Sequence, residues 1–578
     1  MGLRLKADSR LSARFNAGEG GREMRLDRRD FLKIVGAGTA TIAFGGVLSN
    51  FTEFAEGDEA ALAEVFKQTV CGICDSECAL MIRVVGDKAV EITGIPDGDA
   101  DIPSGGHPCV KALASYRFLY NPDRLKGPLM RTNPERGRDV DPGWKEISYD
   151  EAYAEIGKRL KEISDTSGPE SIVCVMRPKP EQKHFYKALG TPNQTCHVDT
   201  CYVSHEVAWH VTAGGMKPPK EPGGKSPGPI GKPWVWDYKN SRYILGFGYD
   251  MLGKTKRVYA RGVQQALDAG AKMVIFDPRL SITASKAHEW IPIKPGTDLA
   301  VALAMMNVII NEELYDKDFV DNYTHGIAEL RAHVQQYDPE WAAGISDVPA
   351  ETITRIAREF ATTKPAVVAE HKRDAGGPLK SQSFDLARSM AMLNALVGSV
   401  DRLGGPIWSR HPKMPELGDV FHFEYPEPRT KERVDGLEKW PLSKPFGKAS
   451  FSNLAEGILA KQPYETKALL IHKYNITSFP NPQKMEEAMK TVDLIVTWDV
   501  VLSEMAQYAD FVLPGKFFLE DSGWHTRDYS AYYPQIAIKD GIDVLELPKL
   551  GESFNEILKA MGKPEFVVDW KAYSTARL

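Results

Sequence analysis

The stretch that decides the fold begins Cys71-Gly72-Ile73-Cys74-Asp75-Ser76-Glu77-Cys78 and ends Pro108-Cys109-Val110-Lys111. It contains four of the seven cysteines of the 578-residue chain. Iron–sulfur clusters are bound by four thiolates, and short spacings allow one loop to supply several of them. Zinc sites usually use two Cys-x-x-Cys pairs, and this stretch has one. Cysteines crowded on one loop pair poorly as disulfides. The stretch therefore favours a 4Fe-4S cluster bound by Cys71, Cys74, Cys78 and Cys109 over zinc or disulfides.

The composition is that of a folded chain with a sizeable core, since 43% of its residues are hydrophobic and its net charge is -6. A charge balance this mild gives no sign of nucleic-acid binding. The seven cysteines are too few for a disulfide scaffold of this length. The mature chain has no apolar run of about 18 residues, so no membrane-spanning helix is expected. At about 150 residues per domain, the length indicates about four domains.

The N-terminus has the pattern of an export signal. Arg28-Arg29 is followed by Phe31-Leu32, and residues 34–48 are mostly apolar or small. This resembles a twin-arginine signal, which exports folded proteins, although Asp27 stands where Ser or Thr is more usual. Residues 61–63 fit a cleavage site, and an amphipathic N-terminal helix is the alternative. We expect residues 1–63 to be the signal peptide and disordered N-terminus of a periplasmic protein.

Two parts of the mature chain alternate strands with helices. Strands at residues 243–247 and 272–276 flank one helix, and strands at 468–474 and 494–497 flank another. Such alternation predicts parallel sheets with right-handed crossovers. We therefore predict a multidomain α/β protein with a small N-terminal cluster domain and two doubly wound α/β domains. The expected boundaries are 64–127 for the cluster domain and, for the α/β parts, 128–235 with 366–467, 236–365, and 468–578.

A second decisive stretch runs from Gly190 to Cys201 and contains Pro192-Asn193 and Cys196-His197. It follows a predicted helix, and its glycine and proline predict a loop. Together with the cluster stretch, this loop resembles the molybdopterin oxidoreductases of the dimethyl-sulfoxide-reductase superfamily, over about residues 65–560. Within that superfamily the chain looks most similar to the catalytic subunits of thiosulfate, polysulfide, tetrathionate and arsenate reductases.

The resemblance implies a 4Fe-4S cluster and a bis-molybdopterin guanine dinucleotide that carries molybdenum or tungsten. It places the protein ligand of the metal at Cys201, whose soft thiolate suits such a centre. A buried free thiol is the alternative. His197 is expected to orient the loop or contact the pterin, Asn193 belongs to the same motif, and Cys196 is interpreted as structural. Lys111 is expected between the cluster and the pterin, where a cation favours the reduced cluster, unless it is a solvated lysine.

The resemblance also implies one dinucleotide per α/β unit, at the carboxyl ends of strands, where open sheets bind ligands. A carboxylate there can accept two hydrogen bonds from a guanine edge. Residues 294–298 open a helix whose N-terminus suits a pyrophosphate, although Asp298 serves equally well as an N-cap. The candidate residues are Gly246, Gly248, Asp277, Pro278, Arg279, Gly296, Thr297 and Asp298 in residues 236–365, and Asn475, Asp499, Ser503 and Glu504 in residues 468–578.

A basic segment, His371-Lys372-Arg373, follows a predicted strand. Arginine and lysine are natural partners of an oxyanion, so His371 and Arg373 are candidate substrate-binding residues. The alternative is a solvated basic turn.

These features predict the catalytic subunit of an exported respiratory molybdoenzyme. Its expected substrate is thiosulfate, polysulfide, tetrathionate, arsenate or a selenium oxyanion. The resemblance implies two partners, a ferredoxin-like iron–sulfur subunit and a membrane quinol-interacting anchor subunit. The alternatives are an arsenite- or formate-type enzyme of the same family running in the opposite direction, and a molybdenum-free structural electron-transfer subunit. The usual C-terminal β-barrel cap domain is expected to be absent, either truncated or supplied by another chain.

Overall fold

The computed structural model describes residues 63–74, 76–95, 106–213, 234–253, 257–370, 374–377, 382–407, 414–440, 450–526 and 536–577. Glu64–Leu578 make up one of its two contact-defined units, and almost all described residues belong to it. The pair Arg28-Arg29 and the segment from His371 to Arg373 lie outside the described residues. Within the described part, no helix has both the length and the apolar character needed to span a membrane.

The strands are β1 Glu64–Val70, β2 Ala79–Val85, β3 Lys88–Gly94, β4 Leu129–Met130, β5 Lys145–Glu146, β6 Ile172–Val175, β7 Gln194–Thr195, β8 Val235–Trp236, β9 Tyr243–Phe247, β10 Lys272–Phe276, β11 Glu289–Ile291, β12 Ala366–Ala369, β13 Pro406–Ile407, β14 Ala468–His472, β15 Leu494–Asp499, β16 Phe511–Pro514, β17 Gly523–Thr526 and β18 Ile536–Lys539.

The helices are α1 Val110–Leu113, α2 Tyr116–Leu119, α3 Tyr149–Ser167, α4 Pro180–Leu189, α5 Val203–Ala213, α6 Arg257–Asp268, α7 Ile282–Lys286, α8 Asp298–Asn311, α9 Lys317–Tyr323, α10 Ile327–Val334, α11 Pro339–Ser346, α12 Ala350–Thr362, α13 Ser383–Leu396, α14 Leu417–Val420, α15 Leu454–Ala460, α16 Pro482–Lys490, α17 Leu550–Ala560 and α18 Trp570–Ala576.

A three-stranded antiparallel sheet, β1-β2-β3, supports the first cysteine loop. The loop joins β1 to β2, so Cys71 follows the first strand directly and Cys78 precedes the second. The sheet buries Leu80 and Ile82 against Leu519 and Ile542 from the far end of the chain. Because this apolar face is shared, the cluster domain is held by residues that the sequence places more than 400 positions away.

Seven strands form the larger sheet, in the order β5-β4-β16-β15-β14-β6-β7. The strands from β16 to β7 are parallel, and all of β6 is buried, including Cys174, which is a core thiol as predicted. Parallel strands covered by helices on both faces read as continuous apolar runs. From β14 the chain continues to β15 on one side, whereas β6 leads to β7 on the other. Strand order therefore reverses between β14 and β6, and open α/β sheets bind ligands at such a reversal.

The second sheet has four parallel strands in the order β11-β10-β9-β12. All five residues of β9 are buried, and the apolar helix α8 packs against the sheet in the largest hydrophobic cluster of the described residues. Strand order reverses between β9 and β12, so this sheet has a reversal point of its own. The two parallel sheets confirm the predicted α/β class.

The sheets group the chain differently from the predicted boundaries. Strand β12 pairs with β9, so it belongs with residues 243–291 and not with the segment predicted to carry the metal-ligand loop. Strand β14 pairs with β6, so the last α/β segment shares a sheet with residues 128–235 and does not form a domain of its own. Parallel pairing joins strands that are distant in the chain. The local pattern of apolar residues indicates which strands are buried, but it does not indicate which strands pair with each other.

Candidate functional site

The first cysteine loop is closed by its own backbone. The N–H of Cys71 donates to the carbonyl of Cys78 (2.9 Å), and the N–H of Glu77 donates to the carbonyl of Cys74 (3.2 Å). Cys71 and Cys78 are buried, whereas Cys74 is half-buried. Glu77 adopts a positive φ of 46°, which is uncommon outside glycine and turns the chain back toward β2. The loop therefore presents three thiols from one short turn.

Cys71 is close enough to the other three cysteines of the predicted cluster site for each of them to affect its pKa. Burial raises the pKa of Cys71 to about 12, and the thiols of Cys78, Cys74 and Cys109 add to the rise. Four thiolates this close repel one another unless a cationic centre binds them, because a metal deprotonates its thiol ligands. The donor set therefore fits the cluster that the sequence predicts.

Two further groups flank the cluster loop. Phe518 packs against it so closely that a Cβ on Gly72 would lie 2.6 Å from the Cβ of Phe518. Lys111 lies in α1, which begins directly after Cys109, and it is exposed. The family resemblance implies Lys111 between the cluster and the pterin, which stays a prediction, whereas Phe518 comes from a segment that no local motif linked to the cluster.

The second cysteine loop separates its two thiols. Cys196 is 4% exposed and packs in the core behind the seven-stranded sheet. Cys201 is half-buried, two residues before α5, and its N–H donates to the carbonyl of Val198 (3.2 Å). The thiol with solvent access is therefore Cys201, and the core thiol is Cys196. The roles of Cys201 as metal ligand and of Cys196 as structural residue stay predictions.

His197 is held in place by a residue from the facing strand end. Its Nδ1 lies 2.9 Å from the hydroxyl of Tyr474, and the two rings meet edge to face. The N–H of His197 also donates to the same hydroxyl (3.3 Å). Sequence reasoning missed Tyr474, although its position just after a buried strand is the signal that could have found it.

Asn193 is a framework residue in this structure. Its amide donates to the carbonyl of Glu170 (2.7 Å) and the hydroxyl of Tyr464 (2.9 Å), and its oxygen accepts from the N–H of Val434 (2.9 Å). The side chain is 2% exposed. Because every polar atom is occupied within the protein, the geometry favours a role in holding the loop over direct contact with a cofactor.

The first dinucleotide segment gathers its predicted residues at the carboxyl ends of β9 and β10. Gly248 has a φ of 60°, and a Cβ there would lie 3.3 Å from the backbone nitrogen of Ala375. Asp277 is buried and accepts a hydrogen bond from the N–H of Arg279 (3.0 Å). Gly246 lies inside β9, where a Cβ would lie 2.7 Å from Ile275, so packing explains this glycine.

The remaining residues of this segment surround the start of α8. Gly296 has a φ of 82° with open space beside its Cα, and Thr297 is the N-cap residue of the helix. Asp298 is the first helical residue and is buried. Arg279 is exposed and lies 3.5 Å from Asp250, and Pro278 beside it is also exposed. The accessible N–H groups of this turn suit an anion such as a pyrophosphate.

The second dinucleotide segment lies at the carboxyl ends of β14 and β15. Asn475 donates to Glu504 and accepts from the N–H of Ile476 (2.8 Å). Asp499 ends β15 and accepts from the N–H of Val500 (2.8 Å). The hydroxyl oxygen of Ser503 is buried and has no hydrogen-bond partner among the described residues. An unused polar atom beside these groups fits a site that a polar cofactor completes.

A further polar group lies at the reversal point of the four-stranded sheet. His205 in α5 pairs with Glu370 after β12 at 2.7 Å, and Trp209 donates to the same carboxylate. Ligand atoms of His205, Glu370 and Asp374 all lie within 4.8 Å of one another. Burial alone would lower the pKa of His205, but the Glu370 carboxylate raises it above its usual value. Sequence reasoning missed this group because its members are distant in the chain.

Comparison with known proteins identifies close counterparts. A family model described as "Molybdopterin oxidoreductase" matches residues 124–529, and one described as "Molybdopterin oxidoreductase Fe4S4 domain" matches residues 64–121. The chain is 32% identical over 540 residues to the thiosulfate reductase molybdopterin-containing subunit PhsA of Salmonella typhimurium. The alignment covers 90% of this chain and 67% of that protein.

Another relative is the arsenate respiratory reductase molybdopterin-containing subunit ArrA of a Shewanella species. It is 30% identical over 562 residues, covering 88% of this chain and 62% of that protein. Among solved structures, acetylene hydratase from Pelobacter acetylenicus matches with a TM-score of 0.74 and 26% identity, covering 86% of this chain and 70% of that one. The chain thus spans about two thirds of the length of these curated relatives.

Proposed function

Because this chain belongs to the molybdopterin oxidoreductase family, we propose that it is the catalytic subunit of a respiratory enzyme that reduces a sulfur, arsenic or selenium oxyanion. The family implies a molybdenum–molybdopterin cofactor, and the Fe4S4 domain implies a 4Fe-4S cluster. The observation that carries the proposal is Cys201, a half-buried thiol on a loop whose backbone hydrogen bonds hold it directly before α5. The names of the relatives PhsA and ArrA support the substrate class.

The residues of this chain take separate roles in that chemistry. Cys201 would hold the metal, and Cys71, Cys74, Cys78 and Cys109 would hold the cluster. When bound, the metal supplies two-electron chemistry and the cluster accepts or donates one electron at a time.

Two other residues, His197 and Phe518, lie on or against the cysteine loops. His197 is fixed by Tyr474 and can donate a hydrogen bond or a proton near Cys201. The side chain of Phe518 packs against Gly72 of the cluster loop.

A substrate screen tests this proposal. The purified enzyme, reduced by a dye, would be mixed with thiosulfate, polysulfide, tetrathionate, arsenate or selenate while metal content is measured. We expect about one molybdenum or tungsten and four iron atoms per chain, and oxidation of the dye by at least one compound. Dye reduction by arsenite or formate alone would indicate the opposite direction. Iron without molybdenum or tungsten would indicate a structural electron-transfer subunit.

The partners and the location belong to the same proposal. We propose a ferredoxin-like iron–sulfur subunit and a membrane quinol-interacting subunit as partners, since PhsA and ArrA are both named as subunits. We propose periplasmic location through a twin-arginine signal at Arg28-Arg29. Changing both arginines to lysine should leave folded precursor in the cytoplasm. Normal accumulation of the double variant in the periplasm would contradict the signal.

A further inference from the structure

A buried group of one histidine and two carboxylates lies at the reversal point of the four-stranded sheet. His205 comes from α5, Glu370 follows β12 directly, and Asp374 comes four residues after Glu370. The segment of Asp374 is fixed to the sheet, because the N–H of Ala375 donates to the carbonyl of Phe247 at the end of β9 (3.0 Å). Glu370 and Asp374 are both 0% exposed. The sheet edge and α5 therefore bring three metal-binding side chains together inside the protein.

The separation of these side chains suits a single metal ion. One ligand atom each from His205, Glu370 and Asp374 lies within 4.8 Å of the other two. Two ligands of one zinc ion, each bound at about 2.0–2.2 Å, are at most about 4.4 Å apart. The three side chains therefore need to shift by no more than about half an ångström to share one ion.

The contact between His205 and Glu370 is close but poorly directed for a hydrogen bond. Nε2 of His205 lies 2.7 Å from Oε1 of Glu370, yet neither atom makes a well-directed hydrogen bond among the described residues. The other oxygen of Glu370 accepts from the indole N–H of Trp209. Buried polar atoms nearly always have a hydrogen-bond partner, and an exception can mark the place of an ion. A cation that both atoms bind would be such a partner.

The electrostatic surroundings of His205 are acidic. The charged groups that raise its pKa are the carboxylates of Glu370, Asp374 and Glu206. Burial raises the pKa of Glu370, and the charge that opposes this rise comes from His205. A protonated histidine neutralises one carboxylate, whereas a divalent cation neutralises two. Because buried carboxylates are costly without a compensating charge, these surroundings favour a divalent cation.

We propose that His205, Glu370 and Asp374 form a binding site for one divalent transition-metal ion, most suitably zinc. One imidazole nitrogen and two carboxylate oxygens fit zinc, whereas calcium and magnesium prefer ligand sets made of oxygen. The site uses no cysteine, so it is a third metal centre beside the two that the family implies. The ion would hold α5 against the four-stranded sheet, and with it the loop of Cys201, which ends two residues before that helix.

The test measures metal ions in the complete enzyme and in two variants. Glu370→Gln removes a ligand charge and keeps an oxygen that can accept from Trp209. Glu206→Gln is the matched control, because it removes a buried carboxylate of α5 that is not one of the three ligands. Each protein would be incubated with Zn²⁺ and desalted. Plasma mass spectrometry would then give the zinc, manganese, molybdenum and iron content, and thermal unfolding would be recorded with and without Zn²⁺.

We expect about one zinc ion per chain in the parent enzyme and in Glu206→Gln, at full iron content. Zinc binding by Glu370→Gln should weaken at least by the roughly 10–100-fold that loss of an outer-shell partner causes. Equal zinc content in all three proteins would overturn the site, because the ion would then be bound elsewhere. A parent enzyme that binds no zinc and has the same melting temperature with and without Zn²⁺ would overturn it as well.

The parent enzyme also decides the question if Glu370→Gln does not fold. Chelator treatment that removes zinc but leaves the iron content unchanged should lower the melting temperature, and added Zn²⁺ should restore it. A melting temperature that stays the same after zinc is removed would contradict the role of the ion in holding α5. These measurements need no turnover, so their outcome is independent of the substrate screen.

Discussion

A buried ion pair between Arg124 and Glu520 is expected to fix the cluster domain to the rest of the chain. The two side chains are 1% and 0% exposed and form two parallel hydrogen bonds of 3.0 and 2.6 Å. Arg124 also donates to the carbonyl of Leu119 (3.3 Å), and Glu520 accepts from the N–H of Phe517 (2.8 Å). The perturbation we propose is Glu520→Gln, which keeps the shape of the side chain and removes its charge.

The burial of the Arg124–Glu520 pair determines how much stability Glu520→Gln is expected to remove. The substitution leaves the guanidinium of Arg124 buried without a counter-charge and places an amide N–H against its donors. Breaking a buried pair from one side costs about 3–5 kcal/mol. Replacing both partners by apolar residues, as in Arg124→Met with Glu520→Leu, removes the uncompensated charge and should recover most of that loss.

The assay is denaturant unfolding of the enzyme with iron content followed in parallel, because a multidomain chain need not unfold in one step. We expect Glu520→Gln to lose its cluster at lower denaturant than the parent protein. Glu64→Gln is the matched control, since it removes an exposed pair with Arg83 in the same domain and should change nothing measurable. Equal behaviour of the two variants, or a double variant worse than Glu520→Gln, would refute the reasoning.

Three further predictions follow from the cysteines and from one histidine. Cys201→Ser should lower turnover by orders of magnitude and alter the Mo(V) resonance, whereas Cys196→Ser should retain both. Cys74→Ala should lose iron and the signal of the reduced cluster, and full retention of iron would contradict its role as a ligand. Burial lowers the pKa of His472 to about 3, and Gln182 lies 3.2 Å from its Nδ1. Above about pH 6.5 the imidazole of His472 is neutral in both the folded and the unfolded chain. Below that pH the imidazole is protonated only in the unfolded chain, so the free energy of unfolding decreases as the pH is lowered. His472→Gln should flatten this fall between about pH 6 and 4, and an unchanged pH profile would contradict it.

The sequence predicts those parts of the site whose residues lie close together in the chain. Cys71, Cys74 and Cys78 share one turn, so their spacing alone indicates a common centre. The family resemblance also implies different roles for Cys196 and Cys201. The structure buries the first and leaves the second half-buried, and the roles themselves stay predictions. The class of the fold was predictable because buried parallel strands give continuous apolar runs.

The rest depended on contacts between residues that are distant in the chain. Pairing of β12 with β9 moved one strand out of its predicted domain. The reversal points became visible only once the strand orders were known, so Lys473 and Glu370 could not be recognised from spacing. The three hydrogen bonds of Asn193 could not be predicted either, because their partners Glu170, Tyr464 and Val434 are distant in the chain, and its role in cofactor binding stays a prediction.

The two reversal points carry opposite chemistry, and helix α5 lies between them. At the four-stranded sheet the polar groups are the carboxylates of Glu370 and Asp374, whereas at the seven-stranded sheet they are cations such as Lys473. Cys201 precedes α5, and His205, about one helical turn later, binds Glu370. The helix therefore attaches the candidate metal ligand to one sheet while His197 attaches the same loop to the other through Tyr474. The loop that carries Cys201 is therefore connected to the seven-stranded sheet through Tyr474 and to the four-stranded sheet through α5 and Glu370.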